Sequence, residues 1–214
     1  MTHSLHRLGT VESLENDFVF LITPAAGIND RGALEKLLEV LDYIEHLGPD
    51  NIGDFFSGTV HAGHSFDDIR AGLKRAQVPR IRCCFDDAQK VQKLLGFVKD
   101  KDYGLSVTVS GLVDSIRTMT DELSIEPHSI NLSMGVYGRT DRLPASSHVM
   151  EIVSMCGHGM ISPQLVESLV SDIASGRLSP EDAAKRLAHP CICGIFNTQR
   201  AAHILRDAVE KANG

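Results

Sequence analysis

Ser162-Pro163 and Ser179-Pro180 divide the C-terminal third of this chain into two helices whose lengths bring its ends together. In each pair the serine is an N-cap and the proline takes the first helical position, where no hydrogen bond is lost. Leu165, Val166, Leu169, Val170 and Ile173 recur at helical spacing. The first helix is expected to stop near Ser175-Gly176. The second, with Glu181 and Asp182 in its first turn, is expected to stop before Pro190. The two run about 20 Å out and about 15 Å back. A helical hairpin of that size returns Cys191 and Cys193 to the end that holds Cys156 and His158, across 35 residues of sequence. A third helix is expected from Thr198 to Lys211, with Asn197 as its cap.

Thiol and imidazole groups concentrate at that shared end. Three of the five cysteines lie in Met155-Cys156-Gly157-His158-Gly159 and His189-Pro190-Cys191-Ile192-Cys193-Gly194. Both segments lead toward helix N-termini, where the partial positive charge favours thiolate over thiol. Read as an extended stretch, 191–193 puts Cys191 and Cys193 on one side. Cys156, Cys191 and Cys193 are therefore the expected metal ligands, with His158 or His189 as a fourth. Three sulfurs with an open position suit an iron–sulfur cluster with one accessible iron, and Cys3His suits zinc. A second reading is a metal-free isomerase or acyl-transfer enzyme, with Cys156 activated by a catalytic His158 or His189. A third is a non-catalytic protein whose cysteines are core residues.

Met155-Cys156-Gly157-His158 resembles the Met-Cys-Gly-His motif of the proline racemase family, whose cysteine is a catalytic acid/base. The likeness covers about five of 214 residues. That family is longer, has two similar domains and carries its second cysteine far downstream in another setting, so nothing further is carried over.

Composition limits the partners. An apolar content of 43% and a charged content of 23% are those of a globular chain. A net charge of −7, with scattered basic residues, argues against nucleic acid and anionic membrane surfaces and leaves a small-molecule substrate. No apolar run has membrane-spanning length, and Met1 to Thr10 lacks the apolar core of a signal peptide. Five cysteines, an odd number, suit a reducing cytoplasm better than a disulfide scaffold. Homo-oligomerisation is left open.

Elsewhere strands and helices alternate. Strands are expected over 17–23, 79–85, 105–109, 130–136 and 149–155, and helices over 31–47, 86–98 and 112–123. This spacing implies an α/β or α+β sandwich of βαβ-type units, with a ferredoxin-like arrangement as one form, and a helical C-terminal part. Polar residues 140–147, with Pro144, mark the best boundary, dividing the chain into an α/β domain, 1–145, and a helical cysteine-bearing segment, 146–214, packed as one unit.

Several loops offer weaker chemistry. His61 and His64, three apart before a helix with Asp67 and Asp68 in its first turn, can share a metal that a carboxylate helps orient or contribute to substrate binding, and read equally well as polar loop residues with Ser65 as the cap. Arg139 and Arg142 suit a carboxylate or phosphate clamp, and Asn29 with Asp30 follows a strand where substrates often dock. Cys83 and Cys84 are adjacent in a strand pattern, face opposite ways, and read as buried hydrophobes.

Overall fold

A computed structural model describes residues 6–213; part of the N-terminal stretch read above for a leader lies outside them. The chain is a mixed α/β protein built on an antiparallel sheet. Its strands are β1 (Phe18–Thr23), β2 (Asn51–Asp54), β3 (Gly58–Thr59), β4 (Ile81–Phe85) and β5 (Ser106–Ser110). They lie in the order β3-β2-β4-β1-β5.

Side-chain alternation gives the sheet two working faces. Phe18, Phe20 and Ile22 share one face with Ile52, Ile81, Cys83 and Phe85. Phe20 and Phe85 meet there edge to face, with centroids 5.9 Å apart. This cluster is completed by α2 (Ala33–Leu47), α3 (Phe66–Arg75), α4 (Ala88–Lys101) and α5 (Val113–Glu122). Local chemistry starts these helices where the chain must turn. Ser65 and Asp68 form a reciprocal capping box at α3, and Asp87 accepts the Gln89 and Lys90 amides at α4.

The opposite face carries Val19 and Cys84, and these pack into a second apolar cluster made by the C-terminal helices. Those helices are α6 (Ser147–Ser154), α7 (Pro163–Ala174), α8 (Pro180–Ala188) and α9 (Thr198–Asn213). Cys83 and Cys84 thus enter different clusters, and burial pushes both thiols up. Both are fully buried, as expected of small apolar core residues.

A buried charge cluster ties the start of the chain to its end. Asp17, just before β1, accepts Arg200 Nη1 at 2.8 Å and Asn197 Nδ2 at 3.2 Å, and Arg7 Nε lies 3.3 Å away. One fully buried carboxylate is thereby matched by two buried guanidinium groups. A single turn, α1 (Val11–Leu14), capped by Thr10, lies between Arg7 and Asp17.

Among the secondary-structure elements, the sequence expectations and the structure differ at several places. Residues 149–155 are not a strand: 147–154 form α6, with Val149 and Ile152 buried at helical spacing. A short apolar run is ambiguous by pattern alone, and here packing against α9 selects the helix. Residues 130–136 alternate apolar and polar yet form no strand, and Ile130, Leu132, Met134 and Val136 stay exposed. Strands β2 and β3 gave no advance signal, because four and two residues carry only one large apolar side chain, Ile52.

Among the described residues, no helix is long and apolar enough to cross a membrane.

Candidate functional site

The helical return expected from the two Ser-Pro pairs is present. Ser162 Oγ accepts the Leu165 amide at 3.2 Å, and Ser179 Oγ accepts that of Asp182 at 3.1 Å. Asn197 Oδ1 caps α9 by accepting the Arg200 amide at 2.9 Å. α6 runs out at Ser154, and the chain turns through Cys156, with the Gly159 amide bonded to the Cys156 carbonyl at 3.0 Å. Gly159 takes φ +67°, a left-handed value that glycine adopts without strain.

Residues 191–193 are not extended. The Cys191 amide bonds back to Ala188, and the Gly194 amide to the Cys191 carbonyl at 2.9 Å, which closes a tight turn on Gly194 at φ +66°. Period-two reasoning therefore does not apply to this pair. The sulfurs reach their neighbours by the turn instead.

Two sulfur contacts join the segments. The Cys191 thiol donates to the Cys156 sulfur, which also accepts the backbone amides of His158 and Met160. Cys193 Sγ lies 3.7 Å from His158 Nδ1. The hydrogen bond from Cys191, helped by the two amides and by the Arg7 charge, pulls the Cys156 pKa down from 9.0 to about 6 despite burial. The same hydrogen bond, together with burial, holds Cys191 well above the usual thiol range. Burial raises Cys193, and the Arg82 charge opposes that rise. Of the three thiols, Cys156 is the one whose ionised form is favoured, while Cys191 and Cys193 are held toward the protonated form.

Two features outside the cysteine motifs hold this arrangement. Arg7 Nη1 donates to the Met155 carbonyl at 3.1 Å, and its Nη2 donates to the Ile195 carbonyl. One guanidinium thus grips the residue before Cys156 and the residue after Gly194. On the other side, the 192–194 turn rests directly on β2. A Cβ added to Gly53 would lie 2.4 Å from the Ile192 carbonyl oxygen, so only glycine admits the turn at this distance.

Access differs among the groups. Cys156 and Cys191 are buried, Cys193 is 7% exposed, and His158 is exposed. The imidazole therefore stands at the mouth of the centre. A groove of about 240 Å³ reaches Gly157 along Met150, Val153 and Ser154 of α6, roofed by Ser133, Gly135 and Val136. Among the described residues, no group of three or more His, Cys, Asp or Glu side chains is arranged to hold a metal ion. The sulfur contacts run in pairs, Cys191 to Cys156 and Cys193 to His158.

The other sequence candidates have their own partners. His61 Nε2 is 2.8 Å from the Asp50 carbonyl and 3.5 Å from Thr198 Oγ1, while Asp50 accepts both the Thr198 amide and its hydroxyl. That group caps α9. His64 stands exposed over Gly58. Arg139 is bound by Asp141 two residues on, and Arg142 is exposed in the same short turn. Asn29 Oδ1 accepts the Ala25 amide and Asp30 accepts that of Gly27, which closes their own loop. His189 is the exposed C-cap of α8.

Sequence reasoning overlooked Arg7, Gly53 and Arg82. Arg82 had a readable signal, a charge inside the apolar strand Ile81-Arg82-Cys83-Cys84-Phe85; Arg7 had none. Comparison with protein-family models, curated proteins and solved structures finds no match for this chain.

Proposed function

We propose that Cys156, Cys191 and Cys193, with His158 at the mouth, take a thiophilic metal as an iron–sulfur or zinc centre, and that this centre acts on a small molecule. One observation carries the reading: three thiols and an imidazole, drawn from segments far apart in sequence, meet in paired contacts, Cys191 with Cys156 and Cys193 with His158. A single nucleophile needs one sulfur. Three together match the ligand count of a thiolate metal site. Binding would displace the proton shared by Cys156 and Cys191, as metal binding by thiols releases protons generally.

The lowered Cys156 pKa specifically favours a second reading, a metal-free thiol enzyme in which Cys156 is nucleophile or base and Cys191 or His158 carries the proton. Anaerobic purification followed by elemental analysis and an absorption spectrum separates the two. Iron with sulfide and broad visible absorption, or stoichiometric zinc without colour, supports the first. A protein that takes neither metal after reconstitution, yet is alkylated at Cys156, sinks the first and leaves the second.

The surrounding architecture fits this picture. The strand order β2-β4-β1-β5, with α2 and α4 as connections, supports reading 18–110 as a ferredoxin-like split βαβ unit onto which the helical cysteine-bearing part is packed. Five free cysteines suit a reducing cytoplasm, and the charge of −7 suits a small-molecule partner rather than nucleic acid.

A further inference from the structure

We infer that this chain pairs with a second copy of itself by strand addition, the 130–134 segment of one copy lying along the open edge of β5 in the other. Such pairing is independent of the cysteine chemistry and of metal.

β5 is the end strand of the sheet, and β1 is its only strand neighbour among the described residues. Natural edge strands are guarded by charges, proline or a bulge, because their outer backbone groups otherwise recruit another strand. Ser106-Val107-Thr108-Val109-Ser110 has no charge and no proline, and it pairs with β1 residue for residue, without a bulge. Val109 and Val107 lie opposite Phe20 and Ile22, on the face of the first apolar cluster. Both are only half-buried, as is Ile116 of α5, which packs on the same cluster. The core is thus unfinished along this edge. Ser106 and Thr108 face the other way, opposite Thr23 and Leu21.

The same chain carries a strand pattern without a sheet. Ile130-Asn131-Leu132-Ser133-Met134 alternates apolar and polar residues, and Gly135 at φ +85° turns the chain after it. Laid beside β5, Ile130, Leu132 and Met134 continue the row of Val107 and Val109, while Asn131 and Ser133 continue that of Ser106 and Thr108. In its own chain this stretch is placed elsewhere, with Ser133, Gly135 and Val136 over Met150, Val153 and Ser154 of α6. Ile130, Leu132, Met134, Val136 and Tyr137 are between 46% and 79% exposed there. At roughly 200 Å² for each large side chain fully exposed, they present about 650 Å² of surface. That is above the ~300–600 Å² patch of a typical monomer and near the ~800 Å² that each partner buries in a standard interface.

Charge selects a second copy as the occupant. Neither 103–113 nor 127–138 contains an Asp, Glu, Lys or Arg, in a chain that is 23% charged with a net −7. Two copies of an acidic protein repel each other unless the surfaces that face are neutral. These two tracts are neutral, and they give a charged partner nothing to pair with. One supplies an edge and the other a strand, so reciprocal exchange about a twofold axis satisfies both.

The test is light scattering on size-fractionated full-length protein, in reductant so that no disulfide joins copies. Wild-type protein at micromolar concentration should have twice the 23.3 kDa mass of one chain. Leu132→Asp combined with Met134→Asp puts two charges on exposed positions and should give a single chain. Ser106→Lys and Thr108→Lys each install on the edge the charge that natural edges use, and each should weaken association about tenfold or more. Circular dichroism verifies that the variants are folded. A wild-type mass of 23.3 kDa overturns the pairing whatever the variants do. So does a dimer that persists in folded Leu132→Asp/Met134→Asp. A dimer lost in that variant but untouched by both lysine substitutions puts the contact away from β5 and overturns strand addition.

Discussion

Gly53 and Gly194 meet backbone to backbone: a Cβ on Gly194 would lie 2.0 Å from the Gly53 nitrogen. Gly194 also holds φ +66°, so two independent constraints fix its identity. Gly194→Ala should therefore destabilise the protein by about 2 kcal/mol or more, combining left-handed strain with overpacking. It should also lift the cysteine turn from β2 and lower metal content. Urea denaturation and metal analysis check both effects. Near-normal stability would show that β2 does not seat the turn.

The Cys156 thiolate should be visible in the pH dependence of alkylation. In reduced, metal-free protein the midpoint at Cys156 is expected near 6, and Cys191→Ala should move it up toward 9.0, because the largest cause of the shift is the hydrogen bond from Cys191. An unmoved midpoint in that variant would show that the backbone amides alone hold the thiolate.

Stability should follow the same two sulfurs in opposite directions. Between pH 6 and 9.0 the unfolded chain keeps the Cys156 proton and the folded chain has shed it, so stability rises with pH across this window. That contribution disappears as pH falls through 6. Cys191 is raised instead. Above 9.0 its unfolded thiol ionises while the folded one stays protonated, and stability falls. Denaturation of the reduced apoprotein at several pH values should trace a rise and then a fall, and Cys156→Ala should flatten the rising limb.

Arg7 offers a test of how the centre is held. Arg7→Met keeps most of the side-chain volume but leaves the Met155 and Ile195 carbonyls without this donor. Asp17 keeps Arg200 as its partner, so the loss should fall near 2–3 kcal/mol, below the 3–5 kcal/mol typical of breaking a buried pair. The two cysteine segments should also separate, with Cys156 alkylation shifting to higher pH. Unchanged stability and alkylation would remove Arg7 as the clamp.

Local signals made the C-terminal helices legible. Ser162, Ser179 and Asn197 cap the helices they were expected to cap, because a cap depends on three or four consecutive residues. The helical hairpin of α7 and α8 was legible from its two Ser-Pro starts and its helix lengths. What remained hidden depends on partners far away in sequence. Arg7 acts on carbonyls 148 and 188 residues downstream, and β2 exists because β4 lies beside it. Val149 and Ile152 fit strand and helix patterns equally well until α9 supplies a surface. Residues 130–136 show the reverse error, a strand pattern without a neighbouring edge to complete it.

His158 separates an open centre from a closed one. The three sulfurs are buried or nearly so, while the imidazole that touches Cys193 is exposed. If His158 is the fourth ligand, it occupies the one coordination position that solvent or substrate can take over. His158→Ala should then keep most of the metal at purification but lose about tenfold or more in affinity when a chelator competes, within the range usual for altered metal surroundings. Cys191→Ser and Cys193→Ser should each lose most of the metal outright, because serine is a harder and far less acidic donor. Metal-to-protein ratios before and after chelator titration measure both. An unchanged affinity in His158→Ala places the imidazole outside the coordination shell. A loss as complete as in Cys191→Ser makes the site structural, since a closed site tolerates no missing ligand. Retention with weakened affinity is the signature of a centre that opens where His158 stands.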